Sequence, residues 1–259
     1  MASEKWTYDE TIIALWTYCR IPFKESRATH PEVVRVAKII GRSPAALNMK
    51  IGNIGRLDPS LAKQGIVGLT HGAKTEKEVW NDFEKNPEQL VMEAQRLLSD
   101  RMGVPWGQEY VEDLQIFPDD TVREVFVRQR IGQSFFRTAV LASYDNRCCI
   151  SGVGETKLLE ACHISDWAID PKNRTNPQNG LCLNTFFHKA YDSNLIGISA
   201  AYIIRLSDKI IESTEDNNFQ NYILSLQGKK ILLPKRFPPN KDLLAERYEQ
   251  FLKYQCYEY

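Results

Sequence analysis

Two of the four histidines in this 259-residue chain lie in one stretch, and the second of them is paired with an acid. His188 and Asp192 are four residues apart in a segment of helical periodicity, so their side chains project from one side of a helix. An imidazole nitrogen and a carboxylate oxygen at that spacing can share a divalent cation and leave positions open for a phosphate oxygen and water. The pattern predicts a metal site of the catalytic type.

The other histidine of this stretch, His163, lies near the end of a short apolar segment, 157–165, which predicts a strand. Breaker residues over 170–179 predict a loop, a brief strand follows at 181–183, and a helix begins at 184 or 185. The strand, loop, strand and helix place His163 opposite the metal-binding helix. Because an unperturbed imidazole titrates near neutrality, His163 is suited to act as a general base on water.

The order His163, Asn179, His188, together with the upstream segment FFRTAVLASYDNRCCISG, resembles the HNH nuclease family over about residues 135–199. The resemblance implies a ββα-metal fold that holds one divalent ion beside the scissile phosphate. It implies that His163 activates water, that Asn179 tethers the loop and orients His163 through a backbone contact, and that His188 and Asp192 bind the metal.

Further site residues follow from the same resemblance. Glu160 matches a carboxylate that orients an active-site arginine in the colicin-type nucleases. Many family members place a metal-binding Asp or His immediately before the general base, where this chain has Cys162. Either Cys162 binds the metal as a thiolate, which favours a softer ion, or it packs in the core while Glu160 or solvent completes the shell. Arg137 and Arg147 are candidates for contacting the phosphate or for structural ion pairs.

The N-terminal part predicts a small helical, helix-turn-helix-like domain. Thr7 to Glu10 has the form of a capping box at the start of a helix over 8–20. A second helix is predicted from about Thr29 to Gly41, and Ser43-Pro44 begins a third after a three-residue turn. We interpret the unit as DNA-binding, with a purely structural helical cap as the alternative. The residues expected to contact DNA are Arg42, Asn48, Lys50, Asn53 and Arg56.

The remaining chain predicts a connector and a scaffold. Helices are expected at 75–84 and 86–100, a linker at 101–120, a strand at 122–131 whose Arg123, Arg128 and Arg130 lie along DNA, and a helix at 134–144. After the catalytic helix we expect a hairpin at 195–206, a strand at 229–233 and a last helix capped by Asn240. The expected fold is α+β, with a helical DNA-binding domain over 1–74, a connector and linker over 75–120, and a ββα-metal HNH nuclease domain over 121–259.

Composition sets further bounds. There is no apolar run of membrane-spanning length and no signal-peptide pattern, so we expect a cytoplasmic protein with no membrane partner. The six cysteines show no disulfide framework and no C-x-x-C pair, although a metal site built from Cys148 or Cys149 with Cys162 and Cys182 is an alternative. The net charge is zero, but residues 1–72 hold ten Lys/Arg against six Asp/Glu, whereas residues 75–124 hold five against thirteen.

The pattern therefore predicts a metal-dependent endonuclease that cleaves double-stranded DNA. Mg²⁺ or Mn²⁺ is the expected metal, with Ni²⁺ or Zn²⁺ as alternatives. The family resemblance implies a role in restriction or defence of a bacterial host, as a homodimer. A non-catalytic DNA-binding regulator with a structural ββα-metal module is the competing interpretation, and a nuclease that acts on RNA or single strands is a third.

Overall fold

The computed structural model describes residues 5–66, 73–111, 119–213 and 215–256. Its architecture is α+β, with a helical N-terminal region and two small antiparallel sheets in the C-terminal region. The first helices are α1 (Tyr8–Arg20), α2 (Pro31–Ile40), α3 (Pro44–Gly55), the short α4 (Pro59–Ala62), α5 (Lys74–Lys85) and α6 (Pro87–Met102). The predicted helices of this region are confirmed. The centre of the predicted linker, residues 112–118, lies outside the described residues.

Capping residues account for the ends of these helices. The Thr7 hydroxyl accepts the Glu10 N–H at 3.1 Å while the Glu10 carboxylate accepts the Thr7 N–H at 3.0 Å, which completes the predicted capping box of α1. Ser43 caps α3, and Gly41, at φ 70°, ends α2 in the left-handed region that glycine adopts without steric cost. The cap of α2 is His30, one residue after the predicted start.

One hydrophobic core unites the helical region. Buried side chains of α1, α2 and α3 pack with those of α5 and α6 and with the first half of the following helix, α7 (Asp120–Ser143). Helices α5 and α6 therefore pack in the same core as α1 to α3 and the first half of α7, and we call this unit the helical body. The division of the sequence at residues 74 and 120 stays a prediction.

The segment predicted as a strand at 122–131 is instead the N-terminal half of α7, a helix of 24 residues. The Asp119 carboxylate caps it by accepting the Val122 N–H at 2.9 Å. Val127, Ile131 and Phe135 are buried at four-residue spacing, which is the period of a helix buried on one side. The β-branched residues of this segment favoured the wrong prediction, because packing against α1 and α6 overrides their intrinsic preference.

The C-terminal region has its own core, built on a hairpin. Strand β1 (Leu159–His163) pairs antiparallel with β2 (Gly180–Asn184), with His163 opposite Gly180, and helix α8 (Thr185–Asp192) follows directly. Both strands pack on the second half of α7, and a Cβ at Gly180 would lie 2.2 Å from Val140 Cγ2. The predicted ββα arrangement is confirmed.

A second hairpin and three helices complete the chain. Strands β3 (Ile196–Ile198) and β4 (Ile204–Leu206) form the predicted hairpin, and α11 (Lys241–Cys256) is the predicted last helix, which starts after Asn240. The structure adds α9 (Asp208–Glu212) and α10 (Asn217–Leu224). The strand predicted at 229–233 is wrong, since Lys230 forms only an isolated bridge to Ile203. No helix in the described ranges is long and apolar enough to span a membrane.

Candidate active site

A shallow cleft of about 330 Å³ brings together α7, β1, the loop after β1, and α8. Its lining comprises Gln133, Phe136, Arg137, Glu160, Ala161, His163, Trp167 and His188. The two histidines that the sequence places 25 residues apart thus face one space. The hairpin brings them together because β1 ends at His163 and α8 begins directly after the strand paired with it.

The His163 ring is held on three sides. It stacks on Phe136 with ring centroids 3.6 Å apart, and Trp167 contacts it edge-on at 5.7 Å. His163 Nε2 lies 3.0 Å from the Arg174 carbonyl oxygen. Because a carbonyl only accepts, Nε2 carries the proton, and Nδ1 keeps the lone pair in the neutral ring. Burial lowers the pKa of His163 below its ordinary value of 6.5, so the neutral, basic form predominates at pH 7.

Asn179 ties down the loop that carries this carbonyl. The fully buried Asn179 side chain donates through Nδ2 to the carbonyls of Ser165 (3.0 Å) and Asn173 (3.2 Å), and Oδ1 accepts the Ser165 N–H at 2.8 Å. Ser165 follows His163 closely, and Asn173 directly precedes Arg174. Asn179 therefore supports both the ring and its backbone partner, which gives physical content to the tethering role that the resemblance implies.

Cys162, His188 and Asp192 offer ligand atoms that lie within 4.8 Å of one another. The Cys162 Sγ is 3.7 Å from Asp192 Oδ1, and His188 Nε2 is 3.3 Å from Asp192 Oδ2. No other cluster of three His, Cys, Asp or Glu side chains in the described part of the chain converges in this way. That finding argues against the alternative site built from Cys148 or Cys149 with Cys162 and Cys182, all of which are free and buried.

Glu160 contacts a histidine rather than an arginine. Glu160 Oε2 lies 2.5 Å from His188 Nδ1, whereas the Arg137 guanidinium donates to the Leu159 carbonyl at 2.8 Å. The hydrogen bond to Asp192 raises the pKa of His188 most, against the effect of burial, and the bond to Glu160 raises it further. The structure thus shows the Glu160 carboxylate in contact with His188, since β1 aims it at α8, and the role in orienting an arginine stays a prediction.

A comparison with known protein families supports this reading of the geometry. Residues 148–199 match the family model described as HNH endonuclease. The chain carries an HNH domain. The matched segment contains β1, β2, α8 and β3. It includes the candidate base, the three clustered side chains and their two supporting residues, namely His163, Cys162, His188, Asp192, Asn179 and Glu160. No curated protein matches the chain.

The donor set of the HNH domain fits a divalent ion. With a cation between His188 and Asp192, the Nδ1–H of His188 would remain bonded to Glu160, an arrangement that fixes the ring of a metal-binding histidine. Burial and the Asp192 carboxylate raise the pKa of the Cys162 thiol well above its usual range, so the free site holds a neutral thiol. Sulfur, nitrogen and oxygen donors together suit borderline ions such as Zn²⁺ better than Mg²⁺.

Three cleft residues, Gln133, Phe136 and Arg137, lie outside the segment matched by the family model. Phe136 and Arg137 come from α7, and Arg137 is exposed at the cleft rim. Sequence analysis identified Arg137 but overlooked the stacking residues Phe136 and Trp167. The available signal was the aromatic pair Phe135-Phe136 directly before Arg137, of which only Phe136 faces the hairpin. The other candidate, Arg147, donates to the Gly152 carbonyl at 3.2 Å and does not line the cleft.

The residues expected to contact DNA on the helical body are not gathered into one exposed surface. Arg42 forms two hydrogen bonds with the Glu10 carboxylate at 3.0 and 2.8 Å. Lys50 is 5% exposed and forms an ion pair with Glu76 at 2.7 Å. These contacts make both cations part of the helix packing. The others are half-buried: Asn48 accepts a hydrogen bond from Ser26 at 3.4 Å, Arg56 pairs with Glu76 at 3.2 Å, and Asn53 lies on α3.

Proposed function

We propose that this protein is a metal-dependent endonuclease that hydrolyses phosphodiester bonds in double-stranded DNA. The observation that carries the proposal is the position of His163. A neutral imidazole whose Nδ1 keeps its lone pair lines the same cleft as His188 of the three-residue cluster, and Arg137 lies at the rim. A structural metal module has no need of a histidine held ready in this way.

Each residue of the cleft has its own role in the proposed reaction. His163 Nδ1 takes a proton from the attacking water, while the main-chain carbonyl of Arg174 accepts from Nε2 and stabilises the imidazolium that forms. Phe136 and Trp167 fix the plane of the ring. Arg137 uses one N–H on the Leu159 carbonyl and keeps further donors for a non-bridging phosphate oxygen.

A divalent ion held by Cys162, His188 and Asp192 would supply positive charge to the phosphate and to the departing oxygen. The sequence predicts Mg²⁺ or Mn²⁺, and the thiol among the donors supports Zn²⁺ or Ni²⁺ as alternatives. A restriction or defence role, a homodimeric state and a cytoplasmic location extend the proposal on the strength of the family resemblance and the composition. Two cuts in a duplex need two sites or two events, which is the reason for the homodimer.

The test is cleavage of supercoiled plasmid by the wild type, His163→Ala and His30→Asn, with Mg²⁺, Mn²⁺, Ni²⁺, Zn²⁺ or EDTA. His30 caps α2 far from the cleft, and asparagine preserves the cap, so His30→Asn is the matched control. We expect metal-dependent cutting by the wild type and the control, and a loss of 100-fold or more, on the order expected for a general base, in His163→Ala. Cutting by His163→Ala at the wild-type rate would refute the assignment. DNA binding without cutting by any variant would favour a regulator.

A further inference from the structure

Three arginines of α7 share one helix face. Arg123, Arg130 and Arg137 are spaced by seven residues, and seven residues make close to two helical turns. At a rise of about 1.5 Å per residue, neighbouring members are separated by roughly 10 Å and the outer two by roughly 21 Å along the axis. We call this set the α7 arginine row. Its last member lies at the rim of the cleft, so the row points at the site of cleavage.

The α7 arginine row differs from the other arginines of the helical body in its contacts. In residues 5–66, 73–111, 119–213 and 215–256, none of its three members forms an ion pair with a carboxylate. Arg130 is exposed and its guanidinium lies 5.0 Å from the Phe126 ring centroid, and Arg123 is half-buried. By contrast, Arg128, which the sequence also predicted to lie along DNA, faces another side of α7, where its Nη1 is 3.8 Å from Glu88 Oε1, and it is not part of the row.

Among the described residues, the acidic groups near the row have other partners or positions. Asp119 is used as the cap of α7, Glu124 lies 3.8 Å from Arg96, and Glu160 is bonded to His188. Asp120 is exposed in the first turn, where it complements the positive end of the helix. Along the row itself the intervening cleft residue is the neutral Gln133.

We infer that the α7 arginine row binds the phosphate backbone of duplex DNA and leads it into the cleft. This inference rests on the proposed function. A separation of roughly 10 Å corresponds to about three base-pair steps of 3.4 Å, and the whole row covers about six. Guanidinium groups bind phosphate oxygens with two N–H donors, and cations in such a row act on every DNA sequence alike. The row therefore supplies affinity and orientation, not base recognition.

The experiment measures binding of a fluorescent 30-base-pair duplex to full-length protein by anisotropy, over a range of salt concentrations. In the binding assay, every protein carries His163→Ala so that the duplex stays intact. Cleavage is assayed separately, with the same arginine substitutions made in protein that keeps His163. The test variants are Arg123→Gln, Arg130→Gln and the double variant. Arg128→Gln removes the same charge from another face of α7, and Arg96→Gln removes one from α6.

Each lost phosphate contact should make the slope of log Kobs against log salt less negative by about 0.9. The slope of the double variant should therefore be less negative by about 1.8. Arg128→Gln and Arg96→Gln should leave the slope unchanged. Equal slopes for all variants, or an equal loss in the two controls, would overturn the inference. If the wild-type chain cuts DNA while the row variants bind like it, only the row is wrong. If the wild-type chain neither binds nor cuts, the proposed function fails with it.

Discussion

Replacement of Asn179 by alanine should separate the architecture of the loop from the chemistry of the cleft. The side chain is fully buried and makes three hydrogen bonds to the backbone of Ser165 and Asn173. At about 1 kcal/mol of net stability each, their loss costs roughly 3 kcal/mol. For a chain of this length that cost corresponds to a fall in Tm of roughly 6–12 °C. The donors and acceptors left behind lie inside the loop, so β1, β2 and α8 should keep their fold.

The functional consequence is separate from the loss of stability. Without its tether, the segment with Arg174 no longer holds its carbonyl 3.0 Å from His163 Nε2, and the ring loses the contact that places its proton. We expect DNA cleavage to fall by about 100-fold at a temperature where circular dichroism shows the variant folded, because general-base catalysis depends on this orientation. DNA binding at low salt should remain near that of the wild type.

Asn176→Ala is the matched control. Asn176 lies in the same loop and is half-buried, and its side chain bonds Asn173 Oδ1 at 2.8 Å and the Gln178 N–H at 3.0 Å. Solvent can replace bonds at a half-buried site, so we expect a loss below about 1 kcal/mol and nearly normal cleavage. If both variants lose activity equally, or if Asn179→Ala cuts normally, the tethering argument is refuted.

Three further predictions address the metal cluster and the helical body. Glu160→Gln should weaken metal binding by about 10- to 100-fold in calorimetry, because the outer partner of His188 is weakened. Cys162→Ser should lower the affinity for Zn²⁺ by at least about 10-fold in competition assays but leave the Mg²⁺ affinity unchanged, because sulfur selects the softer ion. Arg42→Gln should destabilise the protein by roughly 2 kcal/mol at pH 7, because the buried Glu10 carboxylate loses a charged partner.

The effect of Arg42→Gln on the free energy of unfolding should depend on pH in a definite direction. Burial raises the pKa of Glu10, but the hydrogen bonds from Arg42 and Thr7 outweigh it and hold the pKa below its ordinary value of 4.5. The Arg42–Glu10 pair therefore stabilises the fold above pH 4.5, and this contribution is lost as the pH falls through the lowered pKa. The difference between the wild type and Arg42→Gln in urea unfolding should be full at pH 7 and should shrink in acid. A constant difference would contradict this account.

Controls for the metal predictions come from the same region. Glu155→Gln changes an exposed carboxylate before β1, whose side chain only accepts the Lys157 N–H, and should bind metal normally. Cys182→Ser changes a fully buried thiol on β2 outside the cluster and should leave the Zn²⁺ to Mg²⁺ preference unaltered. If Cys162→Ser also retains the preference, Cys162 is a core residue and the ion is held by His188 and Asp192 with solvent.

Local signals in the sequence predicted the elements of the site well. The capping box at Thr7 and the breaker residues before Asn179 act over a few residues, so their effects can be read without the rest of the chain. The strand predicted at 122–131 was wrong because its apolar residues fit two periods, and long-range packing against α1 and α6 decides between them.

The sequence by itself determined the ββα order, the residue types that can bind a metal and move a proton, and the family to which 148–199 is similar. Only the tertiary structure decided the partners of each side chain. It turned Glu160 toward His188, brought Cys162 within reach of Asp192, and committed Arg42 to Glu10. Side-chain partners depend on which elements meet across the core, and that information is spread over the whole chain rather than held in any one motif.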